Sequence, residues 1–301
     1  MKILLTGGTG LIGKRWIRRL LEADHEVSVI SRSVDGARKR LGTQVRLFRH
    51  MDDISNFERF DVIVNLAGES IAEGRWTEER KRSILESRVR VTRQCIRLME
   101  RLEEKPQVFL SASAVGYYGY GETPQTESDP AGSGFLAEVG QAWENEAVKA
   151  EALGVRTCRM RIGIVLAGDG GAYPKMLPPF QLKVAARLGN GKQWMSWIHI
   201  EDVLSAMDWL ISRETLSGPF NLVAPEPVTN REFTRIMGKV KGALIWTTTP
   251  APVLRALLGE MADHLLLQGQ HVVPRALRDS GFTFAYPDLE KALRQLDGES
   301  T

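Results

Sequence analysis

The run Thr6-Gly7-Gly8-Thr9-Gly10-Leu11-Ile12-Gly13 stands directly after a short apolar pattern, Lys2–Thr6, and opens a helical one, Ile12–Glu22. Gly7, Gly10 and Gly13 carry the spacing of a dinucleotide loop. In such a loop the first glycine permits a tight turn, the second lets backbone approach a pyrophosphate, and the third lets helix pack on strand. The helix start then offers free N–H groups and the positive end of its dipole to the diphosphate. Strand, spacing and helix coincide, which lifts the motif above a bare glycine pattern. Thr9, Leu11 and Ile12 complete the contacts expected of this loop.

Outward from the loop, β-branched runs alternate with helical patterns, which is how a parallel α/β sheet reads. The strand candidates are Lys2–Thr6, Glu26–Ser31, Val45–Phe48, Asp61–Asn65, Gln107–Ser111 and Val155–Val165, with helices at Ile12–Glu22, Glu78–Glu103 and Glu138–Ala152. The expected fold is a Rossmann-type doubly wound parallel sheet with a small C-terminal substrate lobe. After Val165 the rhythm changes. Gly168–Gly171 and Pro178-Pro179 punctuate a glycine- and tryptophan-rich stretch up to Trp197. A helix at Glu201–Ser212, a strand at Pro219–Val223 and short helices at Thr229–Val240, Pro252–Leu258 and Asp288–Leu296 follow. Thr229–Glu232 has capping-box spacing. The expected division puts residues 1–168, joined by 199–223, in the nucleotide-binding core, and 169–198 with 224–301 in the lobe.

The second strand selects the nucleotide. NAD binders place an acid there for the ribose 2′-OH, but this strand ends in Ser31-Arg32-Ser33. Arg32, beside Ser31, can pair bidentately with a 2′-phosphate, so the expected cofactor is NADP(H). Arg38, Lys39 and Arg40 read better as solvated surface charge. The strand ending at Asn65 continues as Leu66-Ala67-Gly68-Glu69, whose small residues let a cofactor lie against backbone. Glu69 reads equally as a ribose or substrate contact and as an ordinary loop acid.

Composition bounds the rest. Of the 301 residues, 43% are apolar and 26% charged, which excludes a disordered chain. A net charge of +3, from 40 basic and 37 acidic residues, is too small to point to nucleic acid. Apolar runs such as Val62–Val64 fall far short of a membrane span, and the apolar N-terminus is too short for a secretory signal. Two cysteines, Cys95 and Cys158, exclude a disulfide framework. The expectation is a soluble cytoplasmic protein with a small-molecule substrate and neither nucleic acid nor membrane as partner. His25, His50, His264 and His271 show no metal-ligand spacing, so no metal is expected.

Thr6–Gly13, Asn65–Gly68 and Ser111-Ala112-Ser113 together resemble the extended short-chain dehydrogenase/reductases. Further stretches narrow this resemblance to an atypical branch, the "epimerase family proteins" (bacterial YfcH-like). They are Asn65–Ala72 with Arg75-Trp76, Ser113–Gly119, Met176–Phe180, Trp197–Asp202, Gly218–Asn221 and Pro274–Pro287. The last resembles that branch's C-terminal domain of unknown function. The resemblance implies NADP binding and leaves the substrate open. It also exposes a departure. Extended members carry Tyr-x-x-x-Lys on the helix after the fifth strand, and here Leu136 and Gly140 fall at those places. Neither transfers a proton.

Ser113 sits at or near the family's serine, and Tyr117 and Tyr118 follow, so these three are the catalytic candidates. A phenol, with an ordinary pKa near 10, can donate a proton to a reduced carbonyl but is a poor base. Tyr118 reads slightly better as a ring packed beneath a turn than as a catalytic group. His199 reads better as a hydrogen-bonded neighbour of a helix start at Asp202 than as a catalytic base. Trp194 and Trp197 read as pocket wall or as core. Arg90, Arg93, Arg97 and Arg101 form a helical stripe opposite Val91, Cys95, Leu98 and Leu102. Such stripes are usually solvated, and the resemblance adds a dimer face there, so monomer and homodimer both stand. Two functions are carried forward: an NADP(H)-dependent oxidoreductase or epimerase acting on a small carbonyl or hydroxyl compound, and a non-catalytic NADP(H)-binding sensor or scaffold.

Overall fold

The computed structural model describes residues 1–298; the last residues of the expected lobe, 299–301, lie outside the described residues. Seven parallel strands form the central sheet: β1 (Lys2–Thr6), β2 (Glu26–Ile30), β3 (Arg46–Phe48), β4 (Val62–Asn65), β5 (Val108–Ala114), β6 (Arg156–Ile162) and β7 (Gly218–Leu222). Their spatial order is β7-β6-β5-β4-β1-β2-β3. The order reverses between β1 and β4, and open α/β sheets bind ligands at that switch, beyond the strands' carboxyl ends.

Burial on both faces explains the uninterrupted apolar strands. Within β1, Ile3 and Leu5 enter one core with Trp16, Ile17 and Leu210. Leu4 points the other way, to Cys95, Leu98, Met99 and Phe109. Helices α1 (Leu11–Glu22), α2 (Val34–Leu41), α3 (Glu78–Arg101), α4 (Phe135–Ala147) and α5 (Ile200–Ser212) connect the sheet. Each strand residue therefore serves the core its pleat selects.

The sequence-based elements differ from this at several places, helix Val34–Leu41 and strands Gly121–Gln125, Val184–Leu188 and Ile245–Thr249 being additions to them. Val155–Val165 is two strands, because Gly163 passes so close to Ser196 that a Cβ there would lie 2.3 Å from its carbonyl oxygen. The chain turns at that glycine, and Ile164–Ala167 joins Trp197–His199 in a separate small sheet. The fourth helix starts earlier, at Phe135, and ends in a 3-10 turn, Val148–Leu153. Pro178 and Pro179 lie inside a helix, Tyr173–Gln181, rather than between elements. Two prolines cost that helix backbone bonds; its buried Tyr173 and Phe180, packed on Trp197, Phe233 and Met237, offset the loss.

The C-terminal segment is stitched to the core. Strand Gln270–Val272 pairs with Gly121–Gln125. Asp202, on α5, accepts hydrogen bonds from the amides of Ala285 and Tyr286 at 2.7 and 3.0 Å. Among the described residues no helix is long and apolar enough to cross a membrane.

Candidate functional site

The glycine loop lies at the switch point. Gly7 has φ +71°, and a Cβ there would lie 2.6 Å from the carbonyl carbon of Leu66, so β1 and β4 meet here as bare backbone. Gly13 is pressed against Gly7 oxygen, where a Cβ would sit at 2.5 Å. Thr6 Oγ1 donates to Asn65 Oδ1 at 2.6 Å and Asn65 Nδ2 donates to Thr92 at 2.8 Å, pinning the β4 exit to β1 and α3.

Whether these residues fit a dinucleotide is answered by the start of α1. Its N-cap is Gly10, with no side-chain cap and no acid in the first turn. The helix N–H groups and dipole are therefore left for an external anion. Nearby, Asp169 pairs with Lys14 at 3.4 Å and with Arg15, holding the hairpin 164–171 across the helix start. Leu11 packs against Gly170 and Gly171 of that hairpin. Gly7 to Gly13, with Thr9, Leu11 and Ile12, would hold the diphosphate.

Arg32 stands exposed at the exit of β2 with no hydrogen bond or ion pair among the described residues. Beside it, Ser31 Oγ donates to the carbonyl of Ser33, and Ser33 caps α2. A hydrogen bond from Ser83, and then the hydrogen bond and charge of Arg80, hold the Glu69 carboxyl below its usual range against the opposing effect of burial, with the charge of Arg32 the smallest contribution. Glu69 is thus tied to α3, at 2.9 Å from Ser83 Oγ and 2.5 Å from Arg80. Arg88 supports the same loop, donating to Glu69 oxygen at 3.0 Å beneath Gly68. Burial lowers the Arg88 pKa to about 10.

Ser113 and Tyr118 belong to a buried network that sequence reasoning missed. Ser113 Oγ donates to Glu144 Oε1 at 2.7 Å. Arg161 grips the same carboxylate at 2.7 and 2.9 Å, and its third nitrogen donates to Tyr118 at 2.7 Å. Tyr118 donates in turn to Asn221 Oδ1 at 2.7 Å, and Glu127 accepts from the amides of Asn221 and Ala276. Burial pushes the Tyr118 phenol up to about 12, against the opposing charge of Arg161. Both hydroxyls already have partners inside the protein. Tyr117, half-buried, stacks on the Arg161 guanidinium at 3.6 Å, and its hydroxyl has no partner among the described residues.

The missing Tyr-x-x-x-Lys pair has a structural counterpart. Gly140 packs on Tyr117, where a Cβ would sit 3.1 Å from its Cα, and Leu136 Cβ stands 3.1 Å from where Gly116 would carry one. The turn 115–118 therefore rests on the face of α4 that would present the pair. Restoring it by Leu136→Tyr with Gly140→Lys is expected to lower stability by about 1–3 kcal/mol through overpacking. Thermal melts of the double variant check this, with no gain in turnover expected.

His199 is fully buried. It caps α5 by accepting from Glu201 N–H at 3.2 Å, bonds Gln295 at 3.0 Å, and packs its ring against that of Tyr286 at a tilt of 38°. Burial lowers its pKa to about 4. A folded-state pKa below the unfolded value near 6.5 contributes stability that is present above about pH 6.5 and lost on descent toward about pH 4. The loss is on the order of 3 kcal/mol. Denaturant melts should show a shallower decline for His199→Asn over that window. Trp197 fills core, while Trp194 stacks on His271 at 3.8 Å. The arginine stripe of α3 is partly spent within the chain: Arg93 pairs with Glu146, and Arg101 binds the carbonyls of Ile54 and Met51.

Sheet order, glycine turn and uncapped helix together define a Rossmann-type dinucleotide-fold protein. A profile of the NAD dependent epimerase/dehydratase family matches residues 3–222, and one of a domain of unknown function (DUF1731) matches residues 249–296. The chain belongs to the NAD dependent epimerase/dehydratase family. It is 38% identical over 299 residues to the epimerase family protein YfhF of Bacillus subtilis, covering 98% of each chain. It is 37% identical to the chloroplastic SDR39U1 homolog of Arabidopsis thaliana, across 98% of this chain and 86% of that one. Its fold matches the crystal structure of human epimerase family protein SDR39U1 with NADPH at TM-score 0.89 and 29% identity, over 100% of both chains.

Proposed function

We propose that this protein binds NADP(H) at the β1–β4 crevice and exchanges hydride with a small carbonyl or hydroxyl compound, sugars included. The observation that carries the nucleotide assignment is Arg32, exposed and unpaired at the β2 exit where an NAD binder would place an acid. The human relative crystallised with NADPH supports it. Gly7, Thr9, Gly10, Leu11, Ile12 and Gly13 receive the diphosphate, Ser31 and Arg32 the 2′-phosphate, and Leu66, Ala67, Gly68 and Glu69 line the adenosine side. Bound nicotinamide supplies the hydride. Ser113, Tyr118 and Tyr117 shape the wall beyond β5, and of these Tyr117 has the free hydroxyl.

A second reading, a nucleotide-responsive binding protein without turnover, is favoured by Leu136 and Gly140 at the places of the proton-transferring pair. Both readings place the protein in the cytoplasm, as monomer or homodimer, with its two buried thiols free. Following NADPH absorbance with a panel of aldehydes and ketones separates them. Turnover supports the oxidoreductase; flat traces alongside saturable NADPH fluorescence support the binding protein.

A further inference from the structure

Beyond the network around Arg161, a second polar cluster adjoins Leu136, the place that lost its tyrosine. Leu136 shares an apolar wall with Trp76, Phe135, Met261 and Leu265, so C-terminal residues pack directly upon it. Set against this wall is a chain of three titratable groups. The hydroxyl of Tyr120 lies 2.5 Å from His264 Nδ1, and His264 Nε2 lies 3.3 Å from Glu260 Oε1. Trp76 stacks on the His264 ring at 5.3 Å and 18°. Lys81 pairs with Glu260 at 2.7 Å, fixing that carboxylate from the α3 side.

We infer that Tyr120, His264 and Glu260 form a proton relay that serves the hydride chemistry in place of the absent tyrosine and lysine. This inference rests on the oxidoreductase reading above.

The tautomer follows from the partners. The Glu260 carboxylate, 3.3 Å from Nε2, electrostatically favours the ring proton on that nitrogen, which leaves Nδ1 as acceptor for the Tyr120 hydroxyl. When a hydroxyl substrate is oxidised, its O–H proton passes to the Tyr120 oxygen as the Tyr120 proton passes to Nδ1. The carbinol hydrogen leaves as hydride to oxidised NADP, and the C=O bond forms. The imidazolium produced is held by Glu260 and by the face of Trp76. Carbonyl reduction runs the same steps backwards. Burial, with the charges of Glu260 and Asp263, keeps Tyr120 a neutral phenol, so it passes a proton and does not store a charge.

The local backbone fits this role. His264 lies in a π-helical turn, Asp263–Leu267, and such turns recur at functional sites. The relay also joins two parts of the chain, since Tyr120 follows the β5 turn and the other two members come from the C-terminal segment. It assembles only when that segment is docked.

The test uses para-nitrobenzaldehyde and NADPH with full-length protein, and proton NMR of the same protein without nucleotide. The relay predicts a downfield Tyr120 hydroxyl resonance that disappears in both Tyr120→Phe and His264→Ala. It also predicts that kcat falls roughly a hundred- to ten-thousand-fold in both variants, with KM for the aldehyde and NADPH affinity unchanged. Added imidazole should restore turnover to His264→Ala, which a purely structural histidine would not permit. Absence of the resonance in the unaltered protein overturns the relay. So does aldehyde turnover that persists in Tyr120→Phe, or is lost only in Tyr117→Phe. Saturable NADPH binding without any aldehyde turnover would instead remove the oxidoreductase reading, and the relay with it.

Discussion

Replacing Arg32 by aspartate is expected to weaken NADPH binding by roughly ten- to several-hundred-fold and to invert the preference between NADPH and NADH. A bidentate guanidinium–phosphate contact is a charge-assisted pair worth about 1.5–3 kcal/mol. The substituted carboxylate adds repulsion from the 2′-phosphate and accepts a hydrogen bond from the 2′-hydroxyl of NADH. Arg32→Ala separates these effects: it should lose NADPH affinity without gaining NADH affinity. Fluorescence titration of both nucleotides against both variants reads the four affinities. Because Arg32 is exposed and unpaired, neither change should disturb folding, and melting curves should overlay that of the unaltered protein.

The second large effect falls on stability. Glu144→Ala leaves the Arg161 guanidinium buried without its counter-charge and removes the acceptor of the Ser113 hydroxyl. Breaking one side of a buried pair typically costs about 3–5 kcal/mol, and both Glu144 and Arg161 are almost wholly buried. Arg159, at 3.3 Å from the same carboxylate, does not replace what is lost. The double variant Glu144→Leu with Arg161→Met should be less damaging than Glu144→Ala alone, since an apolar substitute leaves no orphaned charge. Urea unfolding of the single and double variants measures the difference. Equal losses would mean that packing, and not the charge pair, sets the cost.

How much of this was legible in the sequence depends on the reach of each signal. The glycine loop was legible because its parts lie within eight consecutive residues and each glycine has a separate steric reason. Gly7 at the Leu66 backbone and Gly13 at the Gly7 carbonyl answer to those reasons. Thr229 capping its helix through Glu232 was legible for the same local cause. The network from Ser113 to Glu127 was not, because its partners are far apart in the chain: Tyr118 and Asn221 are separated by 103 residues. One signal did point to it. Arg156, Arg159 and Arg161 recur at close spacing in a strand beside Cys158, Met160 and Ile162, and an arginine buried there, as Arg161 is, demands a partner. Pro178 and Pro179 misled because helix-breaking is a local rule, whereas Tyr173 and Phe180 hold that helix through contacts made elsewhere in the chain. The Tyr120–His264 contact spans 144 residues, and only the docked C-terminal segment reveals it.

The central claim is that a guanidinium at the β2 exit recognises a phosphorylated ribose. Isothermal titration of the unaltered protein with NADPH and, separately, with NADH tests it most directly. Saturable heat with NADPH, at an affinity at least about tenfold above that for NADH, is the result expected. No heat with NADPH, or equal affinity for the two nucleotides, would contradict it.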